Sequence, residues 1–108
     1  MLLLLALLFQ YADGFHTIPL EELATTRWTH VCVSGPVTYV RKQSDGDYHI
    51  TLDNGKGKGV LEIIPQIPLE IPRKGDIIMV CGISRFDRHH NWGEVHPVTS
   101  IAFVKRRK

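Results

Sequence analysis

Residues 28–42 read "WTHVCVSGPVTYVRK", and how this stretch is interpreted decides the fold. It is long and β-branched, so it reads as a strand, yet Gly35-Pro36 sits in its middle. Proline has no N–H to give to a ladder, and glycine weakens a strand interior. Together they mark a bulge or a bend. A strand that survives such a bend is what a small barrel needs where it turns a corner.

Working outward from it, the rest of the chain supplies the other staves. "SDGD" (44–47) is a turn. "YHITLDN" (48–54) is a second strand with Tyr48, Ile50 and Leu52 on one face. "NGKGKG" (54–59) is a flexible hairpin loop, and "VLEII" (60–64) a third strand. "PQIPLEIPRKGD" (65–76) carries three prolines and reads as an extended crossover rather than a helix. "DIIMVCGISR" (76–85) is the fourth strand and "NWGEVHPVTSIAFV" (91–104) the fifth, with Pro97 at a bend or an edge. Ahead of them, "TIPLEELATT" (17–26) is a short helix or turn, with Pro19 suited to a first position and Glu21 and Glu22 to a first turn. Five strands with no internal helix predict a small all-β barrel, closed or nearly so.

The totals limit what such a barrel does. At 108 residues it is one domain, of ordinary hydrophobic content, 44%. The net charge of +2 is misleading, because "KRRK" (105–108) supplies four of thirteen positive charges. Residues 1–104 hold nine positive against eleven negative charges, a net of −2. The body is therefore no basic clamp; phosphate attraction must come from a local cluster or the tail. A terminal basic run is otherwise a solvated end.

At the other terminus, Leu2 to Phe9 is an apolar run too short to span a bilayer, so no transmembrane anchoring is expected. It matches the apolar core of a secretory signal, with Ala12 near a cleavage point, although it lacks a preceding positive charge and a clean A-x-A. The plainer reading is a buried N-terminal helix or strand. Export to the periplasm or beyond is the expectation, with the cytoplasm as alternative. Cys32 and Cys81 both lie in apolar strand patterns, and two cysteines alone do not separate buried thiols from a bridge. Export favours the bridge, which would add about 4 kcal/mol on the chain-entropy model.

"VSGPVTYVRKQSDGDYHITLDNG" and "EIIPQIPLEIPRKGDIIMVCGISRFDRHHNWGEVHPV" together resemble a group of small bacterial OB-fold proteins of uncharacterised role. These share a DGD-aromatic-H-hydrophobic second strand, a proline-rich crossover and a W-x-E-hydrophobic-H-P fifth strand. The resemblance covers about residues 28–104 and implies a five-stranded OB-like Greek-key barrel with a short N-terminal helix or turn. It implies no activity. It places the first strand beside the fourth, and so Cys32 beside Cys81. The resulting division is a signal peptide over 1–14, a lead-in over 15–27, the barrel over 28–104 and a basic tail over 105–108.

Within this frame "DRHHNWGEVHP" (87–97) separates into a polar turn with His89 and His90, followed by a strand face bearing Trp92, Glu94 and His96. As a metal site, Glu94 and His96 joined by His49 lack the spacing of a zinc centre, and no metal or other cofactor is expected. As an enzyme, the staphylococcal-nuclease type of OB-fold is the relative to weigh. Asp45 and Asp47 are acidic, but Asp-Gly-Asp is first a turn, and no arginine and glutamate constellation accompanies it. A non-enzymatic binding module is the stronger reading. OB-folds take oligonucleotides on the second and third strands and flanking loops. There Tyr39, Tyr48 and Trp92 are expected to stack on bases, and Arg41, Lys42, Lys56, Lys58, Arg85 and Arg88 to meet phosphate, with His49, Phe86, His89 and His90 among them. The expected partner is single-stranded nucleic acid; the alternatives are envelope proteins or oligosaccharides. The plainer roles are Tyr48 in the core, Trp92 capping the barrel and the lysines as ordinary surface.

Overall fold

A computed structural model describes residues 15–107. The apolar run read as a signal peptide, with Ala12, lies outside the described residues. Among these residues no helix is long and apolar enough to cross a membrane.

The chain enters through a two-residue strand, β1 (His16–Thr17), and a 3-10 helix, Leu20–Thr25. Five longer strands follow: β2 (His30–Lys42), β3 (Tyr48–Asp53), β4 (Lys58–Ile63), β5 (Ile77–Asp87) and β6 (Trp92–Lys105). The sheet order is β1-β2-β3-β4-β6-β5, and β5 also pairs with β2, which closes a five-stranded OB-like barrel. The pairing of β4 with β6 is parallel; the other barrel pairings are antiparallel. The boundaries differ from the sequence reading mainly at β2, which begins at His30 rather than Trp28, and β4, which starts two residues early by drawing Lys58 and Gly59 out of the expected loop.

The bend at Gly35-Pro36 has a specific purpose. From His30 to Pro36 strand β2 pairs with β5, and from Val37 to Lys42 it pairs with β3, with a register shift between Val37 and Tyr39. One strand thus serves two neighbours and turns the corner where it changes partner. Cys32 stands opposite Cys81 in this ladder, Cα atoms 4.1 Å apart, and the two are joined as a disulfide.

Alternation then builds the interior. Ile50 and Leu52 of β3, Leu61 and Ile63 of β4, Ile78 and Val80 of β5, and Val95 and Val98 of β6 all point inward and are buried. Leu20 and Leu23 of the 3-10 helix plug one end of the barrel. The glycines beneath that plug make it possible. A Cβ on Gly93 would lie 2.7 Å from the backbone nitrogen of Ala24. One on Gly59 would lie 2.5 Å from Leu23 Cδ2.

The crossover between β4 and β5 is extended, with Leu69 and Ile71 packed against the core. The basic tail is not wholly solvated. β6 runs through Lys105, Arg106 pairs with Glu70 of the crossover and lies over the Phe103 ring, and the Arg107 N–H donates to Asp76 Oδ1 (2.6 Å).

Candidate nucleic-acid interface

The same alternation that fills the barrel lays a second set of side chains on its outside. On β3 these are His49, Thr51 and Asp53; their partners on β4 are Glu62, Val60 and Lys58. Across β2, Arg41 stands opposite His49 and Tyr39 opposite Thr51. Beyond β4, Glu94 of β6 lies beside Val60, and Arg85 of β5 pairs with Glu94. The outer faces of β2, β3, β4 and β6 form a groove of about 490 Å³. Its lining includes Tyr39, Arg41, His49, Lys58, His90 and Trp92, with Thr38, Thr51 and Asp53 between them.

The rim at β6 is held by the β5–β6 hairpin. Asp87 Oδ1 accepts the backbone N–H groups of His89 (2.8 Å) and His90 (3.1 Å), and Asp87 Oδ2 sits 2.8 Å from His90 Nδ1. Asn91 closes the turn in the left-handed region (φ 60°), which asparagine tolerates. The His90 ring is thereby laid parallel on Trp92, centroids 4.5 Å apart and planes 7° from parallel. The hydrogen bond from the His90 ring, then that from its backbone N–H, holds the Asp87 carboxyl far below the usual carboxylate range.

Beneath Trp92 is a charged floor. Glu94 is fully buried, and both its oxygens are satisfied: Trp92 Nε1 donates to Oε1 (2.7 Å) and Arg85 Nε to Oε2 (2.7 Å). The other face of Arg85 turns to Glu62 Oε1 (3.4 Å). Glu62 also receives His49, whose Nε2 is 3.3 Å from Oε1, and His96, whose Nδ1 is 2.7 Å from Oε2 but out of line for a hydrogen bond. The arrangement is two carboxylates, one guanidinium and two imidazoles, locking four strands together and fixing the plane of one indole.

This geometry gathers some of the residues singled out in the sequence and disperses others. Tyr39, Arg41, His49, Lys58 and Trp92 share the groove, Tyr39 being 55% exposed. Lys42 and Tyr48 lie apart from it: the Lys42 ammonium sits 5.8 Å from the Tyr48 ring, and Tyr48 packs against the core at a second, apolar hollow beside the crossover. Lys56 is exposed at the tip of the β3–β4 hairpin, and Arg88 on the β5–β6 turn with His89. Arg85 stands between two carboxylates, while Phe86 carries the Arg27 guanidinium over its ring (4.6 Å).

The set His49, Glu94 and His96 does not form a ligand group, because Glu94 is consumed by Trp92 and Arg85 and the imidazoles turn to Glu62 instead. Among the described residues no three His, Cys, Asp or Glu side chains are arranged to hold a metal. Asp45 and Asp47 shape a turn, Asp45 Oδ1 accepting the Asp47 N–H (2.9 Å). Glu62 and Asp87 hold the floor and rim of this arrangement in place, and the motif reading gave neither a role. Glu62 is the one charge in the apolar run "GVLEII", a signal that was available.

No protein-family model matches the sequence, and no curated protein matches it either. Solved structures do. A protein assigned as an aspartyl-tRNA synthetase from Leishmania major Friedlin superposes over 95% of this chain with a TM-score of 0.70 and 16% identity. Asparaginyl-tRNA synthetase from Pyrococcus horikoshii covers 84% at 0.67 and 11% identity. Yeast Stn1 and Ten1 cover 72% at 0.50 and 16% identity. This chain spans 26%, 23% and 44% of those chains respectively, so the likeness concerns one part of each. At such identities what is shared is the fold: the chain is an OB-like barrel.

Proposed function

We propose that this barrel is a non-enzymatic module that binds single-stranded nucleic acid in the groove on the outer faces of β2, β3, β4 and β6. The observation that carries the reading is the lining itself. Tyr39 and the His90–Trp92 stack offer flat rings at its two sides, and Arg41 and Lys58 bring cations between them. Rings for bases interleaved with cations for phosphates are the two elements that single-strand recognition requires. The buried Glu94 supports it further, because it fixes the Trp92 plane before any ligand arrives, which reduces the ordering cost of binding. Of the other basic residues, Lys56 and Arg88 extend the cationic rim from the two hairpin tips, Arg85 contributes by holding Glu94, and Lys42 and Tyr48 stand outside this path. Two of the structural neighbours are named for tRNA, in keeping with a nucleic-acid ligand.

The test is fluorescence anisotropy of a labelled single-stranded oligonucleotide at low and at physiological salt. Saturable binding is expected, weakening as salt rises, with a shallower salt slope by about one unit for Arg41→Ala or Lys58→Ala. Trp92→Ala is expected to weaken it about tenfold. Absence of binding at low salt would overturn the reading. A second reading rests on the Cys32–Cys81 disulfide, which is consistent with an oxidising compartment and export. There the same aromatic lining would suit an oligosaccharide, whose affinity is indifferent to salt.

A further inference from the structure

Trp28 lies outside the groove, ahead of β2. It is the most exposed large apolar side chain among the described residues, at 75%, and its φ of 53° is in the left-handed region that bulky residues avoid. The backbone is clamped in that state. The Trp28 N–H donates to the Ser84 carbonyl (2.8 Å), the Thr29 N–H to Ser84 Oγ (3.1 Å), and the Ser84 N–H returns to the Thr29 carbonyl (2.9 Å). Ser84 itself is fully buried. An unfavourable backbone geometry and an indole in water are two separate penalties. Among the described residues no hydrogen bond or ring contact of that indole offsets them. Retained strain of this kind points to a use for the side chain.

Its position suggests the use. Trp28 borders β5 at Ser84, and the next β5 residues pair with β6, Arg85 with Glu94 and Phe86 with Gly93. Ser84 itself pairs with Val95, so two strand spacings, about 10 Å, separate the Trp28 backbone from Val95, and Trp92 lies three residues, about another 10 Å, along β6. Arg27 belongs to the other face, its guanidinium flat on Phe86, which with Gly93 turns to the 3-10 helix, and its Nη1 donating to the Ala24 carbonyl (2.6 Å). An exposed ring thus stands one strand beyond the groove.

We propose that Trp28 extends the nucleic-acid surface across β5, giving a second stacking position to a single strand seated on Trp92. The proposal rests on the groove reading above. It is tested with the full chain and labelled oligothymidylates of about 5 and about 15 nucleotides, lengths that bracket the usual span of an OB barrel. Trp28→Gly is the informative variant, because glycine suits the observed φ. It is expected to weaken the long oligonucleotide about tenfold and the short one less than about twofold, with Tm unchanged or raised. The chain has two tryptophans, so in Trp92→Phe the remaining emission belongs to Trp28. It is expected to be quenched by the long oligonucleotide and not by the short. Unchanged long-strand affinity in Trp28→Gly with unquenched Trp28 emission overturns the extension and leaves the groove intact. An equal loss at both lengths, or a lowered Tm, makes Trp28 a fold residue and overturns it too. No binding of either length by the unaltered protein removes the groove reading and the extension together.

Discussion

A carboxylate without access to water is costly unless each oxygen finds a donor, and Glu94 meets that condition through Arg85 on one side and the Trp92 indole on the other. Replacing it with alanine strands both donors, and Glu62 compensates Arg85 only partly. Glu94→Ala is expected to lose about 2–3 kcal/mol in denaturant unfolding. Glu94→Gln, which keeps an acceptor for the indole, is expected to lose less; equal losses would refute the role assigned to the Trp92 bond. The strand face bearing Trp92, Glu94 and His96 was legible in the sequence, because a period of two needs no further information. The partner of that face was not. Glu62 approaches from a parallel strand, and parallel register has no local signature. Trp28 was illegible for another reason: positive φ announces itself in glycine or asparagine, as at Asn91, and a tryptophan there looks like the first residue of a strand.

Among the elements, the short 3-10 helix carries more of the fold than its six residues suggest. Leu20 and Leu23 close one end of the barrel, and the helix backbone presses on Gly93 so tightly that no side chain fits. Gly93→Ala should therefore destabilise by about 1–3 kcal/mol, read as a lower denaturant midpoint at unchanged slope. A wild-type midpoint would mean that the helix is free to shift. The sequence indicated the helix through Pro19 and the acidic first turn, but not its seat, which depends on Gly59 and Gly93, 36 and 70 residues beyond Leu23. The crossover is pinned in turn by Asp76. Backbone N–H groups of Arg107, and next of Arg73, hold the Asp76 carboxyl below its ordinary value. A carboxyl depressed in the folded state contributes stability above its unfolded pKa, about 3.9, and loses that contribution as pH falls through the folded value. Asp76→Asn is accordingly expected to flatten the fall in unfolding free energy below about pH 4. A slope identical to wild type would disprove it.

For the molecule as a whole, closure depends on β2 holding β5 and β3 in succession, and the Cys32–Cys81 bridge fastens the β2–β5 seam. Reduction is expected to lower stability by up to about 4 kcal/mol, the loop-closure figure for a crosslink over 49 residues. A melting curve indifferent to reductant would show that the seam holds without it. Strand count and crossover were readable from residue patterns, because each rests on a local signal; the disulfide was not, since two cysteines alone leave thiols and bridge open and their pairing came from the OB-fold resemblance and the expected export. The plug has a consequence in time. The Leu23 side chain seats against Gly59, 36 positions later, and its backbone against Gly93, 70 positions later on β6. While the chain is being made, Leu20 and Leu23 therefore stay uncovered until β6 has followed them out of the ribosome, and the barrel closes in one step only then.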